Sequence, residues 1–282
     1  MSNNPSIETI CRANPLAFRN IRPAKDSPAG KMLRRILRLA GRAVADYHLI
    51  EEGDRILVGL SGGKDSWTML ETLLSLKSHA PIRFDVAAVH IHPGFADPDY
   101  NEALGRMWKY CAQLGVEAHL VHGDFGTRAA SMAVGGTRCF LCARFRRGIL
   151  YRTAPRLECS KIALGHHADD LIETLIMNLA FSGQLKSMPP KLRADDGTNT
   201  VIRPLCLVPE AKIRDYAQTR GLPIVAAPCA LCGGQADSRR QWIKKLLSEF
   251  EDERPDIKGY MLAALTHVRA SHLADPHLYD FE

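Results

Sequence analysis

The stretch Val58–Leu70, VGLSGGKDSWTML, decides how the rest of the chain is read. An apolar run, Arg55–Leu60, stops at small residues, and a helical pattern begins at Ser66–Ser78. A strand that ends in a glycine-rich loop and enters a helix is a natural anion site. Loop N–H groups point inward and the helix dipole adds positive potential. Gly62 and Gly63 allow a phosphate to come close to the backbone, Ser61 and Ser66 offer hydroxyl donors, and Lys64 brings a charge. Asp65, directly after the lysine, is the odd member. A Walker A loop has four residues between its first glycine and Gly-Lys, and then Ser or Thr. Neither condition holds here, so γ-phosphate hydrolysis of the P-loop type is not supported. Asp65 makes sense as a ligand of Mg²⁺, a hard cation that takes carboxylate oxygens and bridges phosphates.

Working outward, apolar runs alternate with helical patterns. Lys31–Ile50 reads as an amphipathic helix, with Leu33, Ile36, Leu37, Ala40, Val44 and Tyr47 on one face and Lys31, Arg34, Arg35, Arg38 and Arg42 on the other. Strands are predicted at Phe84–His92, Ala118–His122 and Lys161–Gly165, and helices at Asn101–Leu114, Phe140–Leu157 and Asp169–Phe181. Nearly all-apolar strands alternating with helices indicate an α/β fold, a doubly wound and mostly parallel sheet covered on both faces. Lys191–Leu205 then reads as a hairpin around a DDGT turn, Pro209–Arg220 as a helix and Leu222–Val225 as a short strand. Ala236–Glu251 and Lys258–His272 read as two further helices. The expected organisation is a tail over 1–30, with several prolines and no sustained period, a nucleotide-binding domain over 31–235 and a C-terminal helical extension over 236–282.

Composition sets bounds on function. Hydrophobic residues are 46% and charged residues 24% of the 282, ordinary for a soluble globular protein. No apolar run reaches the ~18 residues of a membrane span, and the first twenty residues lack the apolar core of a signal peptide. A cytoplasmic protein without membrane contact is expected. Lys plus Arg is 37 against 31 for Asp plus Glu, a net charge of +6 that permits a polyanionic partner without demanding one.

The SGGKDS segment resembles the SGGxDS loop of the ATP-pyrophosphatase (PP-loop) family, whose members cleave ATP between the α- and β-phosphates and transfer AMP to a substrate oxygen. A second segment agrees. Gly165–Thr174, GHHADDLIET, follows the KIALG strand and opens a helix, and it resembles the second nucleotide-site motif of that family. Asp169 and Asp170 are also good helix starters, but that leaves the paired His166 and His167 unexplained. The resemblance implies that Gly165 and His166 lie beside the loop at the carboxyl ends of the strands. It also implies that VHIH, Val89–His92, borders the adenine.

There are eight cysteines. Cys139-Phe-Leu-Cys142 opens a helix that also carries Arg144 and Arg147, and Cys229-Ala-Leu-Cys232 follows a strand and a proline. Spacing alone leaves structural zinc, a redox pair and an iron–sulfur cluster in competition, with zinc favoured. Cys11, Cys111, Cys159 and Cys206 read as inert, mostly buried thiols. Taken together, CFLCARFRRGILYRTA, KIALGHHADD, MPPKL, IRPL and PCALCG resemble, in order and spacing from about Ile50 to about His272, the tRNA 2-thiocytidine synthetases of the TtcA type. That resemblance implies a [4Fe–4S] cluster on Cys139, Cys142 and Cys232, with Zn²⁺ as the alternative. Three protein ligands leave one iron open to a soft ligand such as hydrosulfide.

The implied chemistry is ATP-dependent tRNA thiolation. The C2 oxygen of an anticodon-loop cytidine is adenylated, pyrophosphate leaves, and sulfur displaces AMP to give 2-thiocytidine. Lys64 and the loop amides would stabilise phosphate charge, and Asp65 together with Asp170 would hold Mg²⁺. Partners are tRNA and a sulfur donor, a cysteine desulfurase or sulfide, and a homodimer is the expectation from the family. Arg144, Arg146, Arg147, Arg152, Lys186, Lys191, Arg203, Arg239, Arg240, Lys244 and Lys245 are candidate phosphate contacts beside the Lys31–Arg42 stripe. A lysidine-synthetase-like enzyme needs no metal thiolates, an amidotransferase-type enzyme needs a glutaminase segment that is not seen, and a zinc-stabilised RNA-binding protein does not need the SGGKDS loop.

Overall fold

The computed structural model describes residues 5–14, 16–94, 97–125, 138–195, 197–225 and 238–282. Short apolar runs give strands β1 (Ile7–Cys11), β2 (Arg55–Gly59), β3 (Asp85–His92), β4 (Glu117–His122), β5 (Lys161–Ala163), β6 (Lys191–Arg193) and β7 (Thr200–Ile202). Among the described residues they form one seven-stranded sheet of order β1-β4-β3-β2-β5-β7-β6. The run β4-β3-β2-β5-β7 is parallel. The edges β1 and β6 are antiparallel to β4 and β7.

Between the strands the chain forms helices α1 (Ala17–Ile21), α2 (Pro28–Asp46), α3 (Lys64–Lys77), α4 (Pro98–Leu114), α5 (Arg138–Arg156), α6 (Ala168–Ser182), α7 (Glu210–Arg220), α8 (Ser238–Glu253) and α9 (Ile257–Ala264). Two compact units divide the chain: Met1–His167 with Pro189–Asp237, and Ala168–Met188 with Ser238–Glu282. In the smaller unit the C-terminal helices α8 and α9 are joined by α6, through a core of Ile172, Ile243 and Leu247.

In the larger unit, alternate strand residues face opposite sides of the sheet. Leu57, Ala87, Val89, Ile91, Val121 and Ile162 pack with Ile149, Leu150 and Ala154 of α5. Helix α3 packs on β2 and β3 of this sheet and also meets α2 and α7. The tail contributes structure, since Ile7–Cys11 pairs with β4 as an edge strand and Ser27 caps α2, accepting from the Gly30 amide at 3.0 Å. Five alternating residues among prolines are too few to register as a strand on their own. At the other end, the helix predicted over Lys258–His272 stops at Ala264, because the Ala263 carbonyl is taken by the Thr266 hydroxyl (2.9 Å) and contacted by the His267 ring (2.8 Å). A three-residue helical turn, Ala270–His272, follows separately.

One buried ionic knot fixes the helix that follows the phosphate loop. Glu71, in mid-α3 and fully buried, accepts from the Tyr110 hydroxyl of α4 at 2.6 Å, from the Tyr216 hydroxyl of α7 and from Arg220 Nε at 3.3 Å. Arg220 also donates to the Ile21 carbonyl at 2.7 Å. Burial, reinforced by the charge of Glu71, pushes both tyrosine pKa values up. Replacing Glu71 by Ala leaves a cation and two hydroxyls without their acceptor. It is expected to cost the larger unit about 3–5 kcal/mol, measured by urea unfolding, with Glu71→Gln, which still accepts, costing less.

Candidate active site: the phosphate loop and its neighbours

The chain runs outward from β2 through β3 to β4 and then returns to place β5 on the other side of β2. The reversal between β2 and β5 is a topological switch point, where open α/β sheets bind ligands at the carboxyl ends of their strands. Both predicted nucleotide segments follow these two strands, and the structure brings them together. A side chain on Gly165 would meet the Asp65 carbonyl carbon at 3.0 Å and the Ser66 amide nitrogen at 3.1 Å, so only glycine allows this approach.

Each loop residue has a distinct place. Gly62 has φ +88°, and a Cβ on it would lie 2.9 Å from Val225 Cβ. Its carbonyl accepts from the Val225 amide at 3.0 Å. The Leu222–Val225 segment, predicted as a short strand, therefore forms none: its backbone lines the loop, and Pro223 accepts from the Trp67 indole at 2.9 Å. Gly63 is the N-cap of α3 and has no side-chain cap, which leaves the first-turn amides available for an anion. Ser66 is buried and braces the loop, with its hydroxyl donating to the Gly63 carbonyl at 2.9 Å, while Ser61 is exposed and donates to Ser66 at 3.2 Å.

At the mouth of the loop lies a charged cluster. Lys64 Nζ is 3.0 Å from Asp65 Oδ1 and 2.8 Å from Glu210 Oε1. His167 Nε2 is 3.8 Å from the same Asp65 oxygen and 3.9 Å from the same Glu210 oxygen. Burial opposes the charged lysine, but hydrogen bonds and charge from Glu210 and Asp65 outweigh it, and the Lys64 pKa stands above the usual lysine value. Asp65 Oδ1 is buried without a hydrogen bond. A buried carboxylate oxygen held by an ion pair rather than a directed hydrogen bond fits a divalent cation that would take the place of the ammonium. Among the described residues no three His, Cys, Asp or Glu side chains form a complete metal cage. Mg²⁺ is held by one or two carboxylates with phosphate oxygens and water, and Asp65 offers a carboxylate of that kind.

Sequence reasoning missed Glu210 and undervalued His167. An acid in the first turn of a helix looks like an ordinary helix starter, and nothing in VPEAKI links it to Lys64. His166, the histidine expected at the nucleotide, instead faces Arg203, whose Nε donates to its Nδ1 at 3.2 Å. Arg203 is itself buried and donates to the Pro189 carbonyl at 2.6 Å, so it braces this turn and is not a surface contact for phosphate. His90 is buried, with Nδ1 2.8 Å from the Leu60 carbonyl and Nε2 2.8 Å from the Tyr100 hydroxyl. It holds the start of the loop. His92, half-buried, stacks near His122 and Tyr100.

In the smaller unit, Asp170 Oδ1 pairs with Arg240 at 3.0 Å, Asp169 with Lys258 at 3.1 Å, and Glu173 with Arg240 at 2.8 Å. Asp170, expected to bind Mg²⁺, therefore has a cation of its own there. Of the cysteines, Cys142 is half-buried and packs on the core cluster from α5. Cys139 lies one turn earlier on α5, but its side chain is not among those described, and Cys229 and Cys232 lie outside the described residues. Cys111, Cys159 and Cys206 are buried and Cys11 half-buried, and burial raises all four thiol pKa values, that of Cys206 to about 12. The burial expected of these four is thus found, complete for three and partial for Cys11. Among the described residues no helix is long and apolar enough to cross a membrane.

A switch-point cradle with free helix amides, a lysine and a carboxylate poised for a metal defines an ATP-binding PP-loop protein. The chain matches the PP-loop domain over residues 32–244. It is 45% identical over 260 residues to the tRNA-cytidine(32) 2-sulfurtransferase of Anaeromyxobacter sp. (strain Fw109-5), covering 92% of this chain and 83% of that protein. It is 46% identical over 264 residues to the protein of the same name from Aeromonas salmonicida (strain A449), covering 92% and 84%. The chain belongs to the tRNA-cytidine(32) 2-sulfurtransferase family of PP-loop enzymes. Its fold is shared with the U34-tRNA thiolase NcsA from Methanococcus maripaludis, solved with its [4Fe–4S] cluster, at a TM-score of 0.68 and 21% identity over 87% of this chain and 84% of that one.

Burial lowers the His90 pKa to about 4. A histidine whose folded pKa lies below its unfolded value of about 6.5 holds its stabilisation above that value and loses it as pH falls towards the folded one. Stability is thus expected to drop by up to about 3 kcal/mol between roughly pH 6.5 and 4. Urea unfolding at a series of pH values should show a shallower slope in that window for His90→Gln than for the wild type.

Proposed function

We propose that the chain is an ATP-dependent tRNA sulfurtransferase that adenylates the C2 oxygen of an anticodon-loop cytidine and replaces that oxygen with sulfur, giving 2-thiocytidine, AMP and pyrophosphate. The name of its relatives puts the cytidine at position 32. The observation that supports this best is the closure of the Gly165–His167 turn onto the SGGKDS loop around Lys64 and Asp65, in a chain of that family.

The C2 oxygen of cytosine is a poor leaving group. Its attack on the α-phosphate forms an O–P bond and breaks the bond to the bridging oxygen, so pyrophosphate leaves. First-turn amides of α3 and the Lys64 ammonium are set to stabilise charge on the departing phosphates. Mg²⁺ would be held by Asp65 and would neutralise phosphate charge. Sulfur then attacks C2, and AMP departs with the original oxygen. A sulfide nucleophile needs no general base, and none is assigned.

Cys139, Cys142 and Cys232 would hold a [4Fe–4S] cluster, and the half-buried place of Cys142 on α5, one turn after Cys139, suits that role. When bound with three protein thiolates, such a cluster supplies one iron open to a soft ligand. The sulfur donor would be a cysteine desulfurase or sulfide, and zinc is the competing occupant.

RNA would be drawn by the exposed cations Lys31, Arg34, Arg35, Arg38 and Arg42 of α2 and Arg144, Arg146, Arg147 and Arg152 of α5. A loop cytidine is reached without breaking a base pair. Raising salt should weaken tRNA binding with a log–log slope of about 0.7–0.9 per phosphate contact, and a flat response would make these stripes ordinary surface.

The decisive assay uses anaerobically purified protein with tRNA, ATP and sulfide, with AMP followed by chromatography and 2-thiocytidine by mass spectrometry. AMP release should depend on tRNA, and Lys64→Ala should slow it about a hundredfold or more. AMP formation without tRNA, or none at all, would overturn the proposal. A brown chromophore and EPR signal after reduction, lost in Cys139→Ala, Cys142→Ala and Cys232→Ala, would support the cluster, whereas colourless protein with stoichiometric zinc would remove it.

A further inference from the structure

Asp65 reaches Lys64 from the next position in the loop, but Glu210 reaches it from α7, 146 residues further along the chain. The helix does not need that contact to stay in place. Helix α7 is already tied to α3 through Tyr216 and Arg220 on Glu71, and the segment after it through Pro223 and Val225. Glu210 therefore adds something other than adhesion. Its carboxylate is partly exposed at the mouth of an anion cradle and bonds the cation that should meet the anion. Groups facing it include His167 at 3.9 Å and, through the shared ammonium, Asp65. A bare polyphosphate arriving here must take Lys64 from Glu210 and then lie beside the Glu210 carboxylate. A polyphosphate carrying a divalent cation presents that cation to the two carboxylates and releases the ammonium to its own oxygens.

We propose, on the basis of the ATP-dependent function above, that Glu210 is a selectivity residue of the phosphate loop, holding Lys64 so that ATP binds only with its divalent cation. Thermodynamic reciprocity requires that the metal help ATP by the same factor as ATP helps the metal. Neutralising Glu210 reduces that factor from the metal-free side, so the variant gains an affinity the wild type lacks.

The test is titration of full-length wild type and Glu210→Gln with a non-hydrolysable ATP analogue, once in excess EDTA and once in Mg²⁺, read by calorimetry without turnover. The wild type should bind much more tightly in Mg²⁺. Glu210→Gln should bind the metal-free analogue about tenfold better than the wild type does, the scale of a half-buried like-charge contact removed, and so narrow the ratio. Glu210→Asp, which keeps the charge, should retain a ratio close to that of the wild type. Equal weakening in both conditions would mean a merely structural role and would overturn the proposal. So would an unchanged ratio, or the same gain in Glu210→Asp. If Glu210→Gln does not fold, the wild type decides, because equal affinity with and without Mg²⁺ leaves Glu210 nothing to gate. Wild-type protein that binds the analogue in neither condition sinks the thiolation function itself, whereas steep metal dependence with an unaltered Gln variant sinks only the role of Glu210.

Discussion

The site depends on one close approach, that of Gly165 to the backbone of Asp65 and Ser66, where a Cβ on Gly165 would lie about 3 Å from those atoms. No side chain fits there. Two loops that follow different strands share a wall because β5 joins the sheet beside β2, with Ile56, Leu57 and Val58 in register with Lys161, Ile162 and Ala163. The same register carries His167 two residues past the contact, into the neighbourhood of Asp65 and Glu210. Sheet order, glycine and histidine are thus parts of one constraint. At the opposite end of these strands, Lys161 is buried between Asp54 and Glu51, each at 2.6 Å. Burial alone would raise the Asp54 pKa, but Lys161, the Glu51 amide and Ser160 together hold it below the usual value. The β2–β5 seam is clamped there while its other end stays open for chemistry.

The electrostatics of the open end resolve the oddity of an acid in an anion site. At about 4 Å and an effective dielectric of 20, a unit pair is worth about 4 kcal/mol, so neither Asp65 nor Glu210 is a neutral bystander to a triphosphate. Lys64 cancels one of the two charges, and a divalent cation would cancel the remainder with charge to spare. A site built only of donors would bind any phosphate, including the abundant inorganic ion. Carboxylates at the mouth exclude bare anions and leave the helix amides to hold whatever arrives with a metal.

What the sequence disclosed and what it withheld follow a physical line. Strand periodicity, the Gly62–Gly63 turn and the Lys64–Asp65 pair are local, and local pattern reveals them. Glu210 and Arg203 act across more than a hundred or several tens of residues, and in sequence each looks like ordinary punctuation: an acid starting a helix, an arginine before a proline. Arg203 invites assignment to RNA phosphate, yet it is buried against His166 and Pro189. The Leu222–Val225 segment has strand composition, but its amide goes to Gly62 instead of a neighbouring strand. Its backbone and Val225 serve the loop, which a two-state choice between strand and coil does not express.

The acids at the start of α6 show the same limit from the other side. Asp169 and Asp170 fit two descriptions, helix starters or metal ligands, and sequence cannot separate them. In the smaller unit both are engaged, by Lys258 and Arg240, and Glu173 one turn on takes Arg240 and Lys244 as well. Cations grouped on α8 as RNA contacts are thus divided by structure. Arg240, half-buried, and Lys244, exposed, pair with carboxylates of α6, while Lys245, 3.9 Å from Glu249, and Arg239, stacked over Phe181 at 5.2 Å, are exposed. Arg240 and Lys244 together balance Asp170 and Glu173, so this cluster of two cations and two acids adds no net charge. The cations of α2 and α5 stay exposed, with Arg42 3.9 Å from Asp46 and Asp124 lining one pocket with Arg144 and Arg152, so the surface offered to a polyanion is set by where charges sit and not by their total.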